Sequence, residues 1–231
     1  MEYKFIDCYC SFFETLRPME SVSYKKEDIR KKLEAVNVKK AFCFNNKGDN
    51  NLLLSDDFFL PSFTLDPNCD TEDFEKYFTI KNAKMVNISP LISKGLFEND
   101  TYKKYFSIMD KYGAVITINI QMATKETLKK ILCHYTNIKI IVVSISFDDA
   151  FHITELMKKY NNLYVDTGFT SILALENIIK DVGSQKIVYS SYMPETDPSG
   201  GIGRIILMNL SDNEKENIAY KNISSITGVE I

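Results

Sequence analysis

The feature that most constrains this chain is a rhythm: apolar stretches of strand length alternate with stretches of helical period, and no low-complexity linker interrupts them. The strand candidates are Tyr3 to Tyr9, Val38 to Phe44, Phe58 to Leu65, Lys84 to Ser89, Ala114 to Ile120, Ile138 to Ser144, Leu163 to Asp166 and Lys186 to Ser191, eight in all. Several are near-continuous runs of Val, Ile and Phe, as in Ile-Lys-Ile-Ile-Val-Val-Ser-Ile at 138–145. Strands of a parallel sheet that helices bury on both faces need that pattern.

Helical segments follow most of these strands. Glu27 to Val36 is one, and Thr71-Glu-Asp-Phe-Glu opens another with Thr71 as its expected cap and acidic residues at its positive end. Asn99 to Tyr112, Thr124 to Tyr135, Ala150 to Tyr160 and Ser171 to Val182 continue the alternation, and Gly200 to Leu210 and Asp212 to Ser225 end it. Gly113 and Gly183 stand where helix C-terminal glycines belong. Asn45 to Asp57, rich in Asn, Gly and Asp, reads as an irregular loop where the second helix would lie. The expectation is an α/β chain forming a single domain over 1–231, in which eight strands in βα alternation favour a closed (β/α)8 TIM barrel over an open doubly wound sheet, although strand count alone does not decide between the two.

Composition narrows the function. A chain of 231 residues, 45% hydrophobic, can bury one large core. With 28 basic and 31 acidic side chains it offers no broad positive field, so nucleic acid is not an expected partner. The longest apolar runs are too short to cross a bilayer, and Met1 to Phe13 carries Glu2, Lys4 and Asp7 where a signal peptide is apolar. No membrane is expected, and the location expected is cytoplasmic. Five scattered cysteines, Cys8, Cys10, Cys43, Cys69 and Cys133, form no disulfide framework and suit a reducing compartment. The two histidines, His134 and His152, are too few for any mechanism that needs three imidazoles.

Several stretches then carry a resemblance. Phe-Ile-Asp-Cys-Tyr-Cys-Ser-Phe at 5–12 resembles the opening strand of the amidohydrolase superfamily, in its "amidohydrolase 2" branch, where the pattern is Ile-Asp-x-His-x-His. Asp7 matches; both histidine positions do not. Ala-Lys-Met-Val-Asn-Ile-Ser-Pro at 83–90 is similar to that branch's fourth strand, and Leu-Tyr-Val-Asp-Thr-Gly at 163–168 to its seventh. Lys186 to Pro194 with Thr196-Asp197-Pro198 resembles its eighth, and Leu210 to Ile218 with Asn222 resembles its closing helix.

The resemblance implies a metal-dependent hydrolase fold, whose metal lowers the pKa of a bound water to ~7. The ligands it implies come from the His-x-His pair, from a His ending each of strands five and six, and from an Asp ending strand eight. At those positions this chain has Tyr9, Ser11, Asn119, Ser144 and Tyr192. Neutral hydroxyls and an amide supply neither the charge nor the softness that holds Zn2+ against water. No metal and no cofactor are therefore expected. Strict alternation turns Asp7, Tyr9 and Ser11 inward and Cys8 and Cys10 outward, where the thiols act as small hydrophobes. His134 and His152 fall on helices.

What remains at the expected mouth is polar: Tyr9, Ser11, Asn87, Ser89, Asn119, Gln121, Ser144, Ser190, Ser191 and Tyr192. The acidic candidates there are Asp7, Asp166, Glu195 and Asp197, of which Asp7 and Asp166 are the acid or base candidates if any catalysis exists; the favoured reading of both is that they only hydrogen-bond neighbouring loop amides. Three functions stay open. The barrel binds a small polar ligand or a protein partner without turnover, with Tyr9, Ser11, Asn87, Ser89, Asn119, Ser144 and Tyr192 as ligand-binding residues. It catalyses hydrolysis or decarboxylation through Asp7, Asp166 or atypical ligands. Or it serves a structural or assembly role, as a homo-oligomer.

Overall fold

The computed structural model of the chain describes residues 3–14, 23–45, 47–52 and 56–231. Eight parallel strands follow one another: β1 (Phe5–Glu14), β2 (Val38–Asn45), β3 (Phe59–Thr64), β4 (Met85–Ile88), β5 (Val115–Asn119), β6 (Lys139–Val143), β7 (Leu163–Asp166) and β8 (Ile187–Val188). Each pairs with the next in chain order, and Ser23–Tyr24 adds a short antiparallel piece to the end of β1. The ladder of β8 is brief, but the backbone beyond it turns back onto the first strand. Cys8 N donates to Tyr189 O at 3.0 Å, Tyr192 N to Tyr9 O at 3.0 Å and Ser11 N to Met193 O at 2.8 Å. These bonds bring the two edges of the sheet together as a barrel, which leaves β1 and β8 no open edge to template another chain.

The apolar runs divide by face. Ile116, Ile118, Ile140, Val142, Leu163 and Val165 pack outward with helix residues such as Leu128, Ile131, Met157, Leu175 and Ile178. Met85, Val115, Ile141, Val143 and Val188 form a smaller cluster inside the barrel. With both faces covered, a strand must be apolar at nearly every position.

Six helices lie between strands or just after them: α1 (Lys26–Ala35), α2 (Thr71–Thr79), α3 (Tyr102–Lys111), α4 (Lys125–His134), α5 (Phe147–Lys159) and α6 (Ile172–Val182). After β8 come α7 (Pro198–Leu207) and α8 (Asp212–Glu216), which continues through a π-type turn at Asn217–Lys221 into α9 (Asn222–Thr227). The cap of α2 is Asp70, whose side chain accepts from Glu72 N, and not Thr71. One residue makes the difference because the cap must keep extended backbone, and Asp70 does, at ψ 143°. Between β2 and β3 the described residues hold a 3-10 turn at Asn50–Leu52 and no α-helix; residues 46 and 53–55 lie outside the described residues. No described helix is long and apolar enough to cross a membrane.

The first strand departs from strict alternation. Its register against β2 runs from Asp7 opposite Ala41 to Cys10 opposite Cys43, three steps against two, which is a β-bulge. Cys8 therefore joins the interior cluster with Ile6 and Tyr9, while Cys10 stays outside. The expected split, with Asp7 inward and Cys8 outward, fails on both residues because the extra residue inverts the alternation locally. Asp7 instead faces the seam where β1 meets the backbone after β8.

Candidate functional site

The C-terminal ends of the strands form a cavity of about 240 Å3. Its floor comes from three strand ends. Asn119 closes β5, Ser144 follows β6, and Tyr192 lies four residues beyond β8. Asn119 Nδ2 donates to Ser144 Oγ at 3.1 Å, and Ser144 Oγ shares a hydrogen bond of 3.0 Å with the Tyr192 hydroxyl. Asn119 Oδ1 accepts from Gln121 N at 2.9 Å, which fixes which end of the amide faces Ser144. Ser144 and Tyr192 both hold left-handed backbone, at φ 63° and 56°; the other described non-glycine residues that do so are Asn or Asp. That conformation is costly for Ser and Tyr, and it turns both side chains across the mouth.

One wall is aromatic. The Tyr9 ring lies 4.6 Å from Phe44 and 4.7 Å from Tyr192, and Phe169 meets Tyr192 edge-on at 4.6 Å. Gly168 makes room for this: a Cβ there would lie 1.9 Å from Tyr192 Cε2. Ser11, Ser89, Pro90, Gln121 and Met193 complete the lining, with Glu195 placed by the bond from its N–H to Tyr192 O at 2.8 Å. Leu91, 60% exposed, and Phe169, 45% exposed, stand at the rim.

Beneath the wall lies Asp166, fully buried at the end of β7. Its Oδ2 accepts from Gly168 N at 3.1 Å and from the Ser190 hydroxyl. Oδ1 has no hydrogen-bond partner of normal geometry, although the Tyr192 hydroxyl and the Ser144 N–H lie near enough to favour the charged form. Burial outweighs these contacts and pushes the carboxyl up to about 6. Asp7 is buried as deeply and also raised to about 6 by desolvation, against bonds from Ser191 N at 2.9 Å, the Ser191 hydroxyl and Tyr9 N at 3.0 Å. Burial likewise holds the Tyr9 and Tyr192 phenols well above their usual range, so both stay protonated.

Of the residues singled out from sequence, Tyr9, Ser11, Ser89, Asn119, Gln121, Ser144, Tyr192 and Glu195 line this one cavity. Asn87 lies outside the lining, inside the barrel, accepting from Thr117 Oγ1 at 3.1 Å. Ser190 and Ser191 are spent on Asp166 and Asp7. Asp197 caps α7 by accepting from Ser199 N, and neither Asp7 nor Asp166 reaches the lining. Of the aromatic and apolar wall, Tyr9 and Tyr192 were foreseen, while Phe44, Pro90, Leu91, Phe169 and Met193 were missed. Phe44 was recoverable, since it shares a period of two with inward Phe42; Phe169, Leu91 and Met193 sit in loops that carry no periodic signal.

All five positions where the resemblance implies metal ligands converge on the cavity, so a metal can be tested against them. They do not fit one. None of the five carries a charge, the Ser144 and Tyr192 oxygens are already bonded to each other, and the Tyr9 and Tyr192 rings pack together where ligands would have to diverge around an ion. Among the described residues no group of three or more His, Cys, Asp or Glu side chains is placed to hold a metal.

No family model matches the sequence, and no curated protein matches it. Solved structures do match in fold. A 2,6-dihydroxybenzoate decarboxylase in complex with 2,6-dihydroxybenzoate superposes with a TM-score of 0.78 at 10% identity, covering 98% of this chain and 100% of that one. A putative amidohydrolase from Staphylococcus aureus gives 0.73 at 16% identity, over 98% of this chain and 100% of that one. Amidohydrolase 2 from Bifidobacterium longum subsp. infantis gives 0.74 at 12% identity, over 99% and 100%. At such identities the likeness establishes the amidohydrolase-like barrel fold, and function has to be argued from the site.

Proposed function

We propose that this amidohydrolase-like barrel binds a small polar molecule at its mouth and does not carry out the metal-dependent hydrolysis or decarboxylation of the proteins it resembles in fold. One observation carries the reading: the positions implied as metal ligands have become a hydrogen-bonded floor, Asn119 to Ser144 to Tyr192, under an aromatic wall. Such a floor offers donors and acceptors to a ligand and cannot ionise a water, because its hydroxyls are neutral at physiological pH. The strained backbone at Ser144 and Tyr192 supports a binding role, since residues held in sparse regions cluster at ligand sites. A second reading, a metal-free acid or base at Asp166, draws support from its raised pKa and its unpaired oxygen beside the cavity wall.

A thermal-shift screen of a metabolite library tests the first reading. A ligand at a hundred times its Kd adds about 2.7 kcal/mol of stability, which for a chain of this size is a rise of roughly 5–10 °C. At least one small polar compound should give such a rise. Ser144→Ala, which removes the oxygen that bonds both Asn119 and Tyr192, should reduce the affinity of that hit about tenfold, the worth of one to two hydrogen bonds. Protein purified without chelator and dialysed should hold far less than one equivalent of zinc or manganese. A screen without hits would turn the reading toward a structural or assembly role, and a retained equivalent of metal would end it.

A further inference from the structure

We infer that Cys10 and Cys43 are a dithiol pair that a peroxide closes into a reversible disulfide, a covalent staple between β1 and β2 one residue below the mouth.

Register places the pair. Cys10 stands directly opposite Cys43 in the parallel ladder of β1 and β2, and the bulge in β1 puts it there: counted from Asp7 opposite Ala41 without the extra residue, Tyr9 would face Cys43. Neighbouring strands run ~4.7–4.9 Å apart, inside the Cα separation of ~4.4–6.8 Å that a disulfide spans. Both side chains turn to the same outer face, into the core between sheet and helices, and their sulfurs lie 3.0 Å apart. Bond formation therefore needs a shift of about one ångström and no change of register. One step further along, Ser11 pairs with Phe44, and both line the mouth. The staple thus fixes the spacing of two lining residues.

The two thiols are not equivalent. Cys10 donates its proton to a hydrogen bond with the Cys43 sulfur, which eases ionisation of Cys43, although burial holds both thiols above their usual range. Cys43 is therefore first to react. Its thiolate attacks one oxygen of hydrogen peroxide and leaves a sulfenic acid and hydroxide. Cys10 then gives up its proton, its sulfur displaces the sulfenic oxygen, and the S–S bond forms; two thiols and one peroxide become one disulfide and two waters. Burial sets the pace. Cys10 is 0% and Cys43 1% exposed, so oxidant reaches them only through local opening, on the order of hours. The other three cysteines lie elsewhere: Cys8 inside the barrel, Cys69 against Asp70 O, and exposed Cys133 beside the Tyr160 hydroxyl.

Non-reducing peptide mapping of the full-length protein tests this, after hours in millimolar hydrogen peroxide and alkylation of the remaining thiols. The Cys10 peptide should appear joined to the Cys43 peptide, lighter by about 2 Da than the two together, and dithiothreitol should release both. Cys10→Ser should abolish the linked species, and Cys133→Ser should leave it unchanged. Free thiols persisting at Cys10 and Cys43 once Cys133 is fully oxidised, sulfinic acid at Cys43 without a link, or a link that runs through Cys8, Cys69 or Cys133 instead would overturn the inference. If Cys10→Ser does not fold, the map of the natural chain decides the matter alone. The link forms or fails whatever the mouth binds, so neither result touches the small-ligand reading.

Discussion

Asp7 and Asp166 are the fully buried carboxylates among the described residues, and burial raises both to about 6. In the unfolded chain such groups titrate near ~3.9. A folded pKa above the unfolded one means that stability is fully present below about pH 4 and is lost as pH rises through about 6, because only the unfolded chain releases the proton easily in that window. Two units correspond to about 3 kcal/mol for each group, an order-of-magnitude figure. Asp166→Asn stays neutral at every pH and keeps an oxygen for Gly168 N. Relative to this variant, the natural protein should lose stability between pH 4 and 6.5 and hold a constant difference above that. Urea midpoints taken across the range read this out, and a difference that moves the other way would remove the buried-charge account. Both aspartates were visible from sequence as strand-end acids. That Ser191 and Ser190 would bond to them was not, since those serines lie 184 and 24 residues away along the chain.

At the scale of elements, helix starts follow local chemistry closely. Ser146 and Asp149 form a reciprocal capping box that starts α5 three residues ahead of the expected Ala150, and Pro198 with Asp197 starts α7 ahead of the expected Gly200. The closing helix shows what such local signals leave out. Asn222 Nδ2 donates to Ser184 O and Ile187 O, both at 2.7 Å, while Ile218 O accepts from Tyr189 N at 3.0 Å. These bonds hold the C-terminal helix across the end of the barrel opposite the cavity, and Ile223 fills the interior behind it. Asn222→Ala removes the donor that two carbonyls share in a buried site, so unfolding free energy should fall by about 2–3 kcal/mol. Chemical denaturation checks it, and a change below about 0.5 kcal/mol would mean that water replaces the amide.

At the scale of the molecule, the barrel depends on the contact between the first strand and the backbone after the last one. If that seam is as firm as the paired strands, the amides of Cys8, Ser11 and Tyr192 should exchange with deuterium as slowly as those of β5 and β6. Exchange at the rate of the loop amides would describe an open, curled sheet instead. The sequence by itself determined the order and number of parallel strands, the helices between them and the neutral character of the five positions on the floor and lower wall. Those properties are periodic or compositional: a strand covered on both faces must be apolar throughout, and a residue's donor chemistry does not depend on its neighbours. Only the tertiary structure decided that a bulge would turn Cys8 inward and Asp7 into the seam, that the Ser144 and Tyr192 hydroxyls would meet, and that Phe169, Leu91 and Met193 would frame the same volume. Each of these depends on segments from distant parts of the chain being pressed together, and the register and twist that press them are set by the packing of the whole barrel rather than by any local run of residues.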